Sequence, residues 1–455
     1  MDPVAPVLLG VTGILFFAVL GRYVARKLGQ PSVLGELLMG MALGNGLYYL
    51  GFASITVLRE GPAIFDMVAL ALQGHSYAEA AALALPPASV AQVLSAIQGP
   101  DGADILKVAE TVDVFSRYGV IFLLFLVGLD TSVAELRRVG GSSLKVAVAG
   151  VLLPFVLGFI TARLLMPEAS LNTDLFIAAT LGATSIGITA RVLRDLGQLR
   201  TPTSHIILGA AIIDDILGLI MLAVVSGIIV SGGVSLSNIS AIIALSALFL
   251  AATFVLGPHF LRLTIGLVRH LDVAEAKLFI SFLFVMALAW FANLVGLATI
   301  VGAFAAGVIL HDAYFKHWGN HHRHRASIRD LVQPIEAILA PIFFVLMGIQ
   351  VKLESFFDAH VVLVALGLLI TAVAGKIAAG CLAGRGAQRL AIGIGMVPRG
   401  EVGLIFASVG KSLGVINDAL FSAVVLMVII TTIMTPPLLK RALAKPTQQD
   451  KTASR

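Results

Sequence analysis

Long apolar stretches recur along the whole chain and constrain its fold more than any other feature of the sequence. A helix that crosses a bilayer needs about 20 mainly apolar residues, and the 455-residue chain contains thirteen such stretches. Their apolar runs are continuous rather than alternating, which excludes a β-barrel and leaves spanning helices. Only 13% of the residues are charged, about half the share typical of soluble domains. The sequence therefore predicts an all-α polytopic membrane protein.

Basic residues in the loops predict how these spans are oriented. The loops after spans 1, 3, 5, 7, 9 and 11, with the C-terminal tail, hold 23 of the 31 Lys and Arg residues, and the opposite loops hold five. Because Lys and Arg concentrate on the cytoplasmic side, we expect the N-terminus outside and the tail in the cytoplasm. We expect the membrane to be the inner (cell) membrane of a bacterium. The predicted spans are 5–22, 31–50, 115–130, 144–166, 175–191, 202–230, 239–262, 276–294, 296–312, 331–350, 360–384, 388–410 and 418–439.

Two local matches indicate an internal repeat of inverted topology. The segment IFLLFLVGLDTSVAEL (121–136) resembles PIFFVLMGIQVKLESF (341–356). The spacing of Gly35 and Gly40 likewise matches that of Gly302 and Gly307. Both matches are seven spans apart, so the second copy must run in the opposite direction; chance similarity between apolar helices is the alternative. We predict two inverted six-helix repeats with this organisation: first repeat 1–230 with an outward insert at 53–113, linker helix 231–271, second repeat 272–443 and cytoplasmic tail 444–455.

Two adjacent carboxylates lie in the middle of span 6. Asp214 and Asp215 are about nine residues from either polar end of the span, too deep for a short side chain to reach water. They therefore need cations, protons or basic groups as partners, and a proton and a monovalent cation can compete for the same oxygen atoms. A buried structural pair is the alternative reading.

Lys376 lies near the centre of span 11, among small residues that permit close helix approach. We interpret Lys376 as the partner of Asp214. In this interpretation the lysine releases a proton when the aspartate binds a cation. A fixed structural salt bridge is the alternative.

Spans 5 and 12 carry sequences that favour a break in the helix, ATLGATSIGITARV and GIGMVPRGEVGLIFA. Unwound backbone at membrane depth frees carbonyl groups and exposes the partial charges of helix ends. Thr184 and Ser185 would complete an oxygen site for the cation, although such hydroxyl groups also commonly pack helices. We interpret Arg399 and Glu401 as a structural charge pair that neutralises helix ends.

Other features of the chain exclude further classes of function. The net charge of +5 comes from loop residues, so orientation explains it and no nucleic-acid partner is expected. Cys381 has no mate, and we expect neither a disulfide nor a cofactor. Five His in the loop 311–325 are interpreted as solvated rather than as a metal site or a pH sensor. Within the insert, Pro86 and Pro87 separate two short surface helices.

These segments resemble the monovalent cation/proton antiporters of the Kef-like and NapA-like branch, within the Na+/H+ exchanger family. The resemblance is carried by ATSIGITARVL, AAIIDDILGL and GMVPRGEVGLIFA and covers nearly all spans. It implies thirteen spans, a homodimer, and crossed interrupted helices in a core domain that moves as an elevator during alternating access. It also implies that Asp215 is the essential ion-binding aspartate, that Asp214 is the preceding acidic position, and that Lys376 is its lysine partner in electrogenic members.

Two departures favour sodium over potassium. Kef-type potassium proteins have Gln where Asp214 stands, and they append a nucleotide-binding domain, whereas the tail here is short and lacks a Gly-rich fingerprint. We therefore expect an electrogenic antiporter, not an enzyme, that exchanges Na+ (or Li+) for H+ in pH homeostasis, holds Na+ at Asp214 and Asp215, and lacks a nucleotide-binding regulatory domain. The alternatives are K+/H+ antiport, Na+-coupled symport of an organic anion, and a transport-inactive sensor that uses the His-rich loop.

Overall fold

The structure, a computed structural model, describes residues 4–130, 140–185, 189, 192–193, 196, 198, 201–230, 236–267, 272–295, 297–310, 312–315, 326–384 and 388–444. Helices make up the regular structure of these residues, and no strand occurs among them. The N-terminal helices are α1 (Ala5–Lys27), α2 (Ser32–Tyr49), α3 (Ala53–Glu60), α4 (Ala63–Leu72), α5 (Tyr77–Ala84), α6 (Pro87–Gln98), α7 (Gly102–Asp130), α8 (Gly141–Leu165) and α9 (Leu171–Thr180). The C-terminal helices are α10 (Pro202–Val230), α11 (Leu236–Leu267), α12 (Val273–Leu294), α13 (Thr299–Ile309), α14 (Ile328–Ile349), α15 (Ala359–Gly380), α16 (Arg389–Gly395), α17 (Gly400–Ser412) and α18 (Asp418–Leu443).

Many of these helices match the length of a bilayer. Among the described residues, eight are long and apolar enough to cross it: α1, α7, α8, α10, α12, α14, α15 and α18. The prediction of an all-helical polytopic membrane protein is confirmed at this level.

The insert after α2 is more helical than the sequence indicates. The two predicted short helices are present as α5 and α6, on either side of Pro86, but α3 and α4 precede them. Helix α7 begins at Gly102, inside the range 53–113 predicted as insert. Its charged first turns fit a helix because Lys107 pairs with Asp104, and Arg117 with Asp113, at helical spacing.

The first of two compact units comprises Met1–Gly119, Ile338–Ala365 and Ala407–Leu426. Glycines bring its helices into backbone contact. A Cβ atom at Gly40 of α2 would meet the carbonyl oxygen of Val345 on α14, and one at Gly348 of α14 would meet that of Leu37 on α2. Small residues at such positions let membrane helices approach closely.

The second compact unit comprises Val120–Ala337, Leu366–Phe406 and Met427–Arg455. Helix α10 lies at its centre and contacts α8, α9, α11, α13 and α16, as expected of a helix that is apolar on all sides. Ile207, Ala210 and Ala211 of α10 belong to a buried cluster that includes Ile392 and Met396.

The chain leaves the helical path at both places where the sequence predicts a break. Helix α9 ends at Thr180, and residues 181–185 are not helical. Helix α16 ends at Gly395, and α17 begins at Gly400. Pro398 explains the second break because it has no N–H to donate and disfavours helical backbone at the residue before it.

Candidate functional site

A buried ion pair lies at the centre of the second unit. Lys376 of α15 and Asp214 of α10 are both fully buried, and Nζ of the lysine lies 2.8 Å from Oδ1 of the aspartate. Nζ also donates to the carbonyl oxygen of Gly182, at 2.9 Å, in the break after α9. Gly150 of α8 leaves room for the pair, because a Cβ atom there would stand 3.3 Å from Nζ.

The two aspartates have different surroundings. The side chain of Asp214 is fully buried, and its Oδ2 atom accepts no hydrogen bond from the described residues. Asp215 keeps 8% of its surface exposed. Neighbouring helical residues diverge by about 100°, so the two carboxylates leave α10 in different directions, and that of Asp214 contacts the lysine.

Three hydrogen bonds join the first break and Thr189 after it to the second break and Gly395, the last residue of α16. The backbone N–H of Ser185 donates to the carbonyl oxygen of Pro398 at 2.8 Å. Thr184 Oγ1 donates to Met396 O at 3.2 Å, and Thr189 Oγ1 donates to Gly395 O at 2.6 Å. These three residues therefore satisfy backbone carbonyl groups that the second break leaves without helical partners.

Arg399, in the second break, is fully buried and donates to the carbonyl oxygen of Ala183 and, at 3.5 Å, to that of Ala372. A cation beside the carbonyl end of α9 offsets the partial negative charge of that helix end. The predicted pairing of Arg399 with Glu401 stays a prediction, because the Glu401 side chain lies outside the described residues.

The structure brings together most residues that the sequence singles out, and it adds others. Asp214, Lys376, Thr184, Ser185 and Arg399 all surround the two breaks or contact residues that do. Sequence reasoning missed Thr189 as a link between the breaks, although it follows Thr184 and Ser185 in the same polar stretch. It also missed the carbonyl oxygens of residues 182 and 183 as acceptors for the two buried cations. Positions 311 and 316–325 of the His-rich loop lie outside the described residues, and so does every histidine in it.

Apolar spanning helices that bury two carboxylates, a lysine and an arginine around paired helix breaks define an ion-transporting membrane protein. The profile of the family described as "Sodium/hydrogen exchanger, transmembrane" matches residues 67–445. The chain belongs to this family of monovalent cation/proton antiporters and is a transporter rather than an enzyme.

Two named relatives are similar to this chain over most of their length. The "High-affinity Na(+)/H(+) antiporter NhaS3" of a Synechocystis species is 34% identical over 96% of this chain and 89% of its own. The "Na(+)/H(+)-K(+) antiporter GerN" of Bacillus cereus is 34% identical over 76% of this chain and 87% of its own. The solved sodium proton antiporter MjNhaP1 of Methanocaldococcus jannaschii has a similar fold, with a TM-score of 0.62 at 17% identity, over 97% of this chain and all of that chain.

Proposed function

We propose that this antiporter exchanges Na+ (or Li+) for protons at Asp215 and Asp214, by alternating access. The observation that carries the proposal is the contact between Lys376 and Asp214, 2.8 Å apart and fully buried. Burial of ionisable groups at membrane depth costs free energy, and such groups are functional candidates for that reason. The pair lies next to Asp215, the adjacent residue of α10, which is buried with 8% of its surface exposed and which we propose as the group that receives the incoming cation.

Charge balance gives the exchange a physical basis. Asp214 and Asp215 carry two negative charges when ionised, and Lys376 and Arg399 carry two positive charges. A sodium ion added to this set creates an uncompensated buried charge, which is strongly disfavoured. Release of a proton by Lys376 removes that charge, so the arriving cation and the departing proton are coupled through Asp214.

The oxygen atoms around the breaks suit a hard monovalent cation. We propose Asp215, Oδ2 of Asp214, Thr184 and Ser185 as ligands. The Thr184 hydroxyl donates its hydrogen to Met396 O, which leaves its lone pairs able to bind a cation. The carbonyl oxygens of Gly182 and Ala183 already accept hydrogen bonds from buried cations, so we assign them no ligand role.

The glycine contacts support inverted repeats. If residue 121 corresponds to 341 and 35 corresponds to 302, then Gly128 corresponds to Gly348 and Gly40 to Gly307. A Cβ atom at Gly348 would meet the carbonyl oxygen three residues before Gly40, and one at Gly128 would meet the carbonyl oxygen three residues before Gly307. The same exchange of contacts therefore occurs once in each compact unit.

We extend the proposal to thirteen spans. The eight long helices account for eight of them, and the other five predicted spans contain α2, α9, α11, α13 and the broken pair α16 and α17. A homodimer, an elevator motion of a core domain, and a role in pH homeostasis complete it. The proposed location is a bacterial inner membrane, with the N-terminus outside and the tail in the cytoplasm.

Exchange of K+ for protons on the same scaffold is the second candidate. It is favoured by the similarity to GerN, whose name includes K+. Proteoliposomes loaded with either Na+ or K+ and assayed for proton movement would separate the two, since the proposal predicts coupling to Na+ (or Li+) in preference to K+.

Replacement of the proposed essential carboxylate tests the function itself. Asp215→Asn should abolish Na+/H+ exchange in proteoliposomes while the purified protein keeps its helical content and melting temperature. Asp66→Asn, at an exposed position of α4, is the matched control and should exchange normally. Exchange at the wild-type rate by a well-folded Asp215→Asn variant would refute the mechanism.

A further inference from the structure

Four charged residues of the first unit form an alternating series, here called the charge chain: Glu60, Lys352, Asp418 and Lys411. Nζ of Lys352 lies 2.8 Å from Glu60 Oε1 and 2.7 Å from Asp418 Oδ2. The other oxygen of Asp418 lies 2.8 Å from Nζ of Lys411. Asp418 therefore holds two lysines at once, one with each carboxylate oxygen.

The charge chain is largely removed from solvent. The exposed fractions of its four side chains range from 5% to 17%. Exposed ion pairs contribute little because water and salt screen them, whereas removal of one partner from a buried pair leaves a charge that nothing compensates. Loss of one contact would leave a buried charge without its partner, so we expect the four residues to keep or lose their contacts together.

The charge chain ties three connections to one another. Glu60 ends α3 of the insert, Lys352 lies between α14 and α15, and Asp418 begins α18. Neighbouring contacts reinforce the first of these links. Arg59 donates to both carboxylate oxygens of Glu354 at 2.8 Å and to Asn45 Oδ1 at 3.0 Å.

Lys411 connects the charge chain to a helix of the transport site. It lies in the last turn of α17, and its Nζ also stands 5.0 Å from the centroid of the Phe421 ring. Helix α17 begins immediately after Arg399, within the break whose Pro398 accepts a hydrogen bond from Ser185. The far end of this helix is thus held by Asp418, while its first turn follows the residues that join the two breaks.

We propose that the charge chain is a latch that holds α17 in the present conformation and that opens during each transport cycle. This inference rests on the proposed antiport function, because alternating access requires at least two conformations of the helices at the site. Discrete contacts of this kind are the elements that packed proteins use to switch between states. The latch also gives the insert a role, since Glu60 anchors the insert to it.

A reversible cross-link tests whether the latch must open. Lys352→Cys and Asp418→Cys are combined in a Cys381→Ser background, and the pair is bridged by a cleavable bifunctional thiol reagent about as long as the ion pair that it replaces. The latch predicts that Na+/H+ exchange falls at least about tenfold on bridging and returns after reduction. The matched control bridges Lys107→Cys to Asp104→Cys, an exposed pair within α7, and should exchange normally in both states.

The outcomes separate the two proposals. Exchange that persists in fully bridged protein would overturn the latch and leave the antiport function intact. Absence of Na+/H+ exchange from the wild type would overturn the proposed function, and the latch with it.

Lys352→Met provides a second measurement that needs no cross-link. If the latch stabilises one conformation, its loss should change the apparent half-saturation for Na+ about fivefold, in opposite directions at the two membrane faces. Lys352→Arg keeps the charge and should resemble the wild type. A charge chain that only braces the fold would lower the melting temperature and leave both half-saturation values unchanged, which would contradict the latch.

Discussion

Thr189 donates its hydroxyl hydrogen bond to the carbonyl oxygen of Gly395, at 2.6 Å, across 206 positions of the sequence. Both groups are buried, and the bond joins the chain after one helix break to the helix that precedes the other. An unpaired carbonyl at this depth has no water to replace the lost donor. Thr189 therefore fixes the two breaks relative to each other, beside the hydrogen bonds of Thr184 and Ser185.

Removal of this hydroxyl should impair transport more than it impairs folding. Thr189→Val keeps the shape of the side chain but leaves Gly395 O unpaired, at a cost of about 1–3 kcal/mol. We expect slower Na+/H+ exchange in proteoliposomes from protein that still purifies as a folded species. Thr180→Val is the matched control, because Thr180 Oγ1 donates only within its own helix, to Phe176 O. Equal loss of exchange in both variants would argue against a special role for the link.

The sequence predicts the central pair because charged side chains in apolar helices must find partners. Asp214 and Lys376 are conspicuous for that reason, and Pro398 marks its break through local chemistry alone. The partners of Thr189 and Arg399 are backbone carbonyl groups in distant segments. No side-chain pattern identifies such acceptors, because every residue carries a carbonyl group.

The sequence does not predict the burial of charged residues near loops. Arg59, Lys352 and Lys411 fall in loops or at span ends, where the sequence favours a solvated role that only orients the protein. In the structure Arg59 keeps 2% of its surface exposed, because the insert forms additional helices. Burial created by α3 depends on tertiary packing, which the local sequence does not specify.

Paired glycine substitutions test the correspondence between the repeats. Gly40→Ala and Gly307→Ala each place a methyl group against a backbone carbonyl oxygen, that of Val345 and that of Phe125. Overpacking of this kind costs about 1–3 kcal/mol, so both variants should melt at lower temperature than the wild type. Gly13→Ala, which meets nothing within 4 Å, should melt normally. A wild-type melting temperature for only one of the first two variants would weaken the proposed symmetry.

Lys352 should stabilise the protein across the neutral pH range and lose its effect in strong alkali. Burial alone lowers the pKa of its ammonium group, but Asp418 and Glu60 raise that pKa by more, so it lies above the ordinary value of 10.5. A group whose pKa is raised by folding contributes stability that is complete below the unfolded value and is lost as the pH rises through the folded value.

The difference in melting temperature between wild type and Lys352→Met should therefore be constant from about pH 6 to pH 9 and shrink above the ordinary lysine value. Lys107→Gln removes an exposed pair of the same unit and should show a smaller difference throughout. A difference that changes steeply near neutral pH would mean that another group controls the stability of the charge chain.

We predict that Lys376 determines whether transport carries net charge. If Na+ binds when both aspartates are ionised, Asp214 leaves the lysine to contact the cation, and the lysine can release its proton. This proton adds to the one that Asp215 releases when it ionises, so more than one proton moves for each sodium ion, and the membrane potential drives exchange with about 2.3 kcal/mol per elementary charge per 100 mV. Currents on solid-supported membranes should be present for wild type and reduced or absent for Lys376→Gln, while Na+ binding to Asp215 persists. A lysine that only braces the helices would lower the melting temperature without changing the charge moved per sodium ion. Electrically silent exchange by the wild type would refute the coupling.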